Sequence, residues 1–340
     1  MRNKFLSKKN YIIAEVGLNH DGNFNLLKKL IIQAKKSGCN AVKIQSLDYD
    51  STEVKKKLDT KLYYKNKKIP LEKLLKKLVL SDKQHYNLSE YCKIIDIDLI
   101  STPFSLRHVD LLKKINVKKI KISSQDIVFF ELIKKVAKTN KPIIISTGMS
   151  SLKEISNAVR LIKKYNNKQI TILHCLSKYP SNYSELNLRR IIKLREKFSD
   201  CKIGFSDHTL GSSAAVVSKF LGAEVFEKHF THNKNAEGWD HSMSLDFNQM
   251  RDYCNSINYI KKSLGNKNYS NILDKNQRKT MRRSIIAKNT IKKKQKIKID
   301  DLDFKRPGTG ISPDKIETVL GKIALRTINK ETAIKIKDIK

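Results

Sequence analysis

Acidic residues are scarce in this sequence: 33 Asp and Glu stand against 70 Lys and Arg in 340 residues, a formal net charge of +37. Arginine is also scarce, only 12 of the 70. Nucleic-acid binders gather positive charge on one face and favour the guanidinium fork for bases and phosphates. Here the lysines are dispersed in short runs, such as Lys55, Lys56 and Lys57, beside abundant Asn and Ile. The charge therefore reads as a solvated surface with no nucleic-acid partner, although its field would still draw in a small anion. Cysteines are few, odd in number and without CxxC spacing: Cys39, Cys92, Cys175, Cys201 and Cys254. That excludes a disulfide framework or zinc knuckle and fits a reducing cytoplasm. No window approaches the roughly 18 apolar residues of a membrane span, and the start, MRNKFLSKKN, has no apolar stretch behind its charges. A soluble, unexported protein with no membrane partner is expected. With 39% hydrophobic residues the chain can still fill a core, which excludes a natively unfolded chain.

What is present is rhythm. Eight short β-rich runs, at 11–16, 41–45, 97–102, 119–123, 142–146, 170–175, 202–206 and 225–230, alternate with amphipathic helical stretches. The stretch Asn25–Lys36, for instance, repeats Leu26, Leu27, Leu30, Ile31 and Ala34 at helical spacing before Gly38. Others fall at 110–114, 131–137, 152–164, 186–197, 212–221 and 247–264. Eight successive βα units predict a TIM (β/α)8 barrel over residues 1–265 rather than an open doubly wound sheet. Residues 266–281 are polar and read as a linker. Residues 282–340 change to brief alternating runs and predict a second, mostly β domain, too small to be very stable alone.

In such a barrel the C-terminal strand ends line the active-site mouth. The predicted ends carry Glu15 and Asn19-His20-Asp21; Lys43 and Gln45; Ser101 and Thr102; Lys121, Ser123 and Ser124; Ser146; His174, Ser177 and Tyr179; Ser206, Asp207 and His208; and Glu227 and His229. His208 and His229 close consecutive strands, so two imidazoles with Glu15, Asp207 and Glu227 nearby could hold one divalent metal; each could equally be a hydrogen-bonded barrel histidine. His174, inside ILHC, reads as packing. Lys43 and Lys121 sit inside strands, a costly place for a charge unless it meets an anion. With hydroxyls at Thr102, Ser124, Ser146 and Ser206, the mouth reads as a ring of donors around a small, multiply charged acid. The alternative for the hydroxyls is local backbone bonding. A lysine forming a Schiff base is the alternative chemistry, and a non-catalytic polyanion- or glycan-binding barrel is the alternative to an enzyme.

The segments IIAEVGLNHDGN, VKIQ, STPFS, KISS, PIIISTGMS, LHCLSKYPS, IGFSDHT and EKHFT, followed by KRPGTGI, resemble the N-acetylneuraminate (sialic acid) synthase family in order and spacing over essentially the whole chain. The resemblance implies a TIM barrel joined to a C-terminal antifreeze-like SAF domain of β-clip form, exchanged between the two chains of a homodimer. It implies a metal-dependent transferase that condenses phosphoenolpyruvate with N-acetylmannosamine or a related N-acylated amino sugar, yielding a nine-carbon 2-keto acid and phosphate. By position it implies His208 and His229 as ligands of Mn²⁺, with Mg²⁺ tolerated. Lys43, Thr102, Lys121, Ser124, Ser146 and Ser206 would hold phosphoenolpyruvate, and Glu15, aided by Glu227, would manage protons. Gln45, Tyr179 and Asp240 would face the sugar, with Arg306 reaching it from the partner's SAF domain. Three departures bear on that sugar: Ser177 where neuraminate-forming members carry Asn, Gln125 where Gly is familiar, and GWDH for GPDH. They make a 2,4-diacetamido-6-deoxy sugar, as used for legionaminic or pseudaminic acid, the alternative acceptor.

Overall fold

Residues 9–64, 67–263 and 274–340 are described by the computed structural model of the chain. The chain divides into two compact units, Met1–Leu264 and Gly265–Lys340. In the first, β1 (Tyr11–Gly17) leads through α1 (Phe24–Lys36) to β2 (Ala41–Ser46). An excursion follows, made of α2 (Tyr49–Thr52), α3 (Lys55–Leu58), the antiparallel pair β3 (Lys61–Tyr64) and β4 (Lys67–Pro70), and α4 (Leu71–Leu78). The βα alternation then resumes with α5 (Asp82–Ile95), β5 (Asp98–Pro103), α6 (Leu106–Lys114), β6 (Lys119–Ile122), α7 (Phe130–Ala137), β7 (Ile143–Ser146) and α8 (Leu152–Lys164). It ends with β8 (Ile170–Cys175), α9 (Arg190–Lys197), β9 (Lys202–Asp207), α10 (Ser213–Phe220), β10 (Val225–His229) and α11 (Phe247–Ser263). Among the described residues no helix is long and apolar enough to cross a membrane.

The eight predicted runs are the eight barrel strands. They close in the order β1-β10-β9-β8-β7-β6-β5-β2, all parallel. The helices between them follow local rules. α1 starts at Asn23, whose side chain accepts the amides of Asn25 and Leu26, buries Leu27, Leu30, Ile31 and Ala34, and ends with Lys35 and Lys36 at its negative pole. α5 and α8 begin with capping boxes, Ser81 with Gln84 and Ser151 with Glu154. The helix expected at 186–197 is shorter: Asn187 takes a left-handed backbone conformation, φ 44°, and α9 begins only at Arg190.

Alternation along the strands builds the barrel interior in layers. Ile13, Ala41, Ile100, Ile144, Leu173 and Val225 form an apolar plug. Side chains two residues further on point the same way, one layer up. That layer contains Glu15, Lys43, Thr102, Ser146, Cys175 and Glu227, and it faces a cavity rather than a core.

The second unit has its own core around Ile285, Ile291, Ile297, Val319, Ile328 and Ile334. Its regular elements among the described residues are α12 (Lys275–Met281), an antiparallel pair, β11 (Ser284–Ala287) with β12 (Leu302–Lys305), and short 3-10 turns at Ile299–Asp301, Pro313–Thr318 and Ile336–Asp338. Isolated bridges such as Ile291 with Ile328 make the remaining connections. Part of the stretch read as linker is thus the helix α12, started by Asp274, whose carboxylate caps the amides of Asn276 and Gln277; residues 264–273 lie outside the described residues.

Candidate functional site

At the C-terminal ends of the strands lies a cavity of about 510 Å³. Most of the sequence-nominated residues of the first unit line it: Glu15, Lys43, Gln45, Thr102, Lys121, Ser124, Ser146, Tyr179, Ser206, His208, Glu227, His229 and Asp240. Arg306 does not belong to this set; it lies in the second unit just after β12 and is exposed.

Two lysines and two carboxylates interlock at the floor. Lys121 Nζ donates to both oxygens of Glu227, at 2.8 and 2.9 Å. Lys43 Nζ sits against the Glu15 carboxylate, donates to Thr102 Oγ1 at 3.3 Å and lies 3.9 Å from Glu227 Oε2. Ser206 Oγ donates to Glu227 at 3.0 Å, and Gln45 Nε2 to Glu15 at 3.3 Å. All four charged side chains are buried. Burial works against ionisation of Glu227, but Lys121, Lys43 and the Ser206 hydroxyl outweigh it and hold the carboxyl at about 2. At Glu15 burial wins over Lys43, and the carboxyl is raised. Two carboxyls pushed apart in this way form a pair suited to acid–base chemistry.

Above this floor stand the imidazoles, with ring centroids 5.5 Å apart. His208 Nδ1 donates to the Leu176 carbonyl at 2.7 Å, which turns Nε2 toward Ser206 Oγ, 3.5 Å away. Burial lowers the affinity of His208 for a proton, but nearby Cys175, its Sγ 4.0 Å from Nδ1, and the Leu176 carbonyl more than reverse that. Burial, with His208 and Lys43 close by, pushes His229 well below the ordinary histidine range, so it is neutral. Its buried Nδ1 has no hydrogen-bond partner, the nearest acid being Asp240 Oδ2 at 3.5 Å. The Tyr179 ring covers both, 4.1 Å from His208 and 6.0 Å from His229. Among the described residues no group of three or more His, Cys, Asp or Glu is arranged to hold a metal. The unpartnered Nδ1 of His229 and the nearby His208 ring nevertheless offer two imidazoles to a divalent ion that keeps several open positions.

Some nominated neighbours face elsewhere. Asp207 points outward, away from the imidazoles, because it alternates with inward Ser206 and His208; it pairs with Lys228 at 3.1 Å on the outer side of the wall. His174 is buried with Nε2 on the Leu186 carbonyl at 2.7 Å and its ring stacked on Phe205, as the packing reading expects. Asn19, His20 and Asp21 do not line the cavity, because the turn after β1 carries them past its rim.

The sequence reading missed the upper wall, built from Leu18, Leu47, Tyr49, Leu75, Phe104, Met149 and Trp239. Two of these come from the excursion, where Leu58, Leu71 and Leu75 form a small core of their own. The signal was the spacing Leu71, Leu74, Leu75, Leu78 in LEKLLKKL, one face of a helix. Gly148 shapes another side: a Cβ there would stand 2.1 Å from Ser177 Oγ and 2.9 Å from Ser124 Oγ.

Comparison with known proteins matches residues 30–269 to the model of the NeuB family and residues 282–340 to that of the SAF domain. The chain belongs to the NeuB family. This is an enzyme family of nonulosonic acid synthases. Among its named members, the N,N'-diacetyllegionaminic acid synthase of Campylobacter jejuni is 40% identical over 96% of this chain and 99% of its own. The pseudaminic acid synthase of Helicobacter pylori is 32% identical over 96% and 97%. Among solved structures, the N-acetylneuraminic acid synthetase of Leptospira borgpetersenii superposes with a TM-score of 0.69 at 30% identity, covering 77% of this chain and 87% of that one. NeuB membership agrees with the eight-stranded barrel and the small C-terminal domain expected from the sequence.

Proposed function

We propose that the protein condenses phosphoenolpyruvate with an N-acylated amino sugar and water, giving a nine-carbon 2-keto acid and phosphate. The observation that carries this reading is the buried quartet Lys43, Lys121, Glu15 and Glu227 at the floor of an open cavity. Buried ammonium groups facing a cavity form a receptor for a phosphorylated carboxylate, and Thr102, Ser124, Ser146 and Ser206 add hydroxyl donors around them. When phosphoenolpyruvate enters, the lysines share their contacts between its charged groups and the carboxylates.

In the reaction C3 of phosphoenolpyruvate forms the new bond to the aldehyde carbon of the open-chain sugar, whose oxygen takes up a proton. C2 gains the oxygen of water, the C2–O bond to phosphate breaks, and the water's two protons end on the former aldehyde oxygen and on the departing phosphate. Lys43 and Lys121 stabilise the departing phosphate. Glu15, beside Lys43 and Gln45, exchanges the proton, while Glu227 stays ionised and keeps Lys121 in place. His208 and His229 would hold a divalent ion, Mn²⁺ by resemblance, which supplies Lewis-acid polarisation of the aldehyde oxygen. Tyr179, Gln45 and Asp240 orient the sugar within the covered mouth, and Arg306 would reach it from a second copy of the chain in a swapped homodimer.

A 2,4-diacetamido-6-deoxy sugar is the favoured acceptor. The apolar upper wall suits a deoxygenated end, and a relative named for diacetyllegionaminic acid shares 40% identity. The test is phosphate release from phosphoenolpyruvate with Mn²⁺ against a panel of amino sugars, with the keto acid identified by mass. Release with an acylated amino sugar, highest for the diacetamido compound, is expected. No release with any acceptor defeats the reading.

A further inference from the structure

The residues Asn19 and Asp21 lie outside the cavity, yet both are hydrogen-bonded to the loop that forms one of its walls. That loop, residues 231–245, follows β10 and carries Trp239 and Asp240 to the mouth. Asp21 Oδ1 lies 3.1 Å from His241 Nε2, and His241 Nδ1 lies 2.7 Å from Thr231 Oγ1. A carboxylate can only accept, so Nε2 carries the proton, and the other ring nitrogen is held by Thr231 Oγ1, which also donates to the Asn233 carbonyl at 3.2 Å. Asn19 Nδ2 donates to the Phe230 carbonyl at 3.0 Å and to Ser244 Oγ at 2.8 Å, and Ser244 Oγ donates to the Asp240 carbonyl at 2.5 Å. Both ends of the loop and its tip are thereby tied to the turn after β1. His241, Thr231, Ser244 and Asn19 are all buried, so each lost bond leaves a stranded polar group.

The geometry assigns Asp21, His241 and Asn19 as positioning residues: together they set where Asp240 and Trp239 stand, and so govern acceptor use rather than phosphoenolpyruvate use. Asp240 depends on them directly, with His241 as its chain neighbour and its own carbonyl bonded to Ser244. The Asp240 carboxylate in turn is the nearest acid to His229. Trp239 shares with Leu18, Leu74 and Leu78 a small void of about 30 Å³ beside the main cavity, so a shift of the loop is transmitted to the upper wall. Gly238 shows how closely the parts fit: a Cβ there would lie 2.5 Å from His241 Cδ2 and 3.5 Å from Asp21 Oδ1. The phosphoenolpyruvate end, at Lys43 and Lys121, receives none of these bonds.

The acceptor half of this inference rests on the proposed condensation; the loop half does not. Trp239 is the only tryptophan in the chain, so its fluorescence reports the loop without any turnover. Asp21→Ala and His241→Ala are compared with Gly238→Ala, which crowds the same contact without removing a bond, and with Asp21→Asn, which keeps an acceptor at Oδ1. The first three variants should move Trp239 emission and raise acrylamide quenching. They should raise the acceptor KM about tenfold or more while the phosphoenolpyruvate KM stays within about twofold, and Asp21→Asn should recover most of the loss. Folded Asp21→Ala and Gly238→Ala proteins with wild-type emission and quenching would overturn the inference. So would equal losses for the two substrates. If the unaltered protein turns over no acceptor, the condensation reading falls, and the fluorescence alone decides whether the clamp exists.

Discussion

The barrel buries lysines on both sides of its wall and uses them in opposite ways. Inside, Lys43 and Lys121 meet Glu15 and Glu227, and all four side chains also line an open cavity. Outside, Lys228 meets Asp207 at 3.1 Å, donates to the Thr209 carbonyl and lies 5.6 Å from the centre of the Tyr253 ring. Asp207 Oδ1 completes that cluster by accepting the Thr209 amide at 2.9 Å and its hydroxyl at 2.7 Å. The two groups are neighbours along the same strands, since Ser206 and Glu227 point in where Asp207 and Lys228 point out. A buried ion pair therefore does not by itself mark a site of chemistry. What distinguishes the inner group is that its ammonium ions face space that a ligand can occupy.

The sharpest way to break this comparison is to remove one lysine from each side. Lys121→Met should lower phosphate release about 10²–10³-fold, the usual loss of a charge-stabilising donor, with the fold intact by circular dichroism. Near-normal turnover would mean that the inner lysines are scaffold too. Lys228→Met strands Asp207 and should cost about 3–5 kcal/mol in urea unfolding, while phosphate release by the folded fraction changes far less. The double variant Asp207→Asn with Lys228→Met should recover most of that stability, because no charge is left uncompensated.

The smallest effect belongs to the second unit, where buried Asp338 accepts from exposed Arg326 Nε at 2.7 Å. Burial raises the Asp338 carboxyl, but the Arg326 bond and the Lys335 amide outweigh it and lower its pKa. A carboxyl depressed on folding stabilises fully above its unfolded value of about 3.9 and loses that contribution as the pH falls through the lower, folded value. Arg326→Gln should therefore move acid unfolding of this unit to higher pH and leave phosphate release at pH 7 unchanged.

Much of this was legible because two periodicities carry it. Period-two alternation gave eight strands, and counting two residues beyond Ile13, Ala41, Ile100 and Val225 reaches Glu15, Lys43, Thr102 and Glu227. The same count places Asp207 on the outer face, since its neighbours Ser206 and His208 face inward. The excursion between β2 and α5 was hidden because its elements are short and its leucines bury only against one another and the cavity rim. The clamp at Asp21 and His241 was hidden for a different reason: 220 residues separate the partners, and nothing local in either segment announces the other.

The excursion has one more consequence. Floor and upper wall come from different stretches of chain: barrel strands supply the charged groups of the floor, while the inserted segment and the loop after β10 add Tyr49, Leu75 and Trp239 to the upper wall. Transplanting residues 47–80 together with 231–245 between two such synthases should carry the choice of sugar with them, leaving the donor half of the reaction as it was.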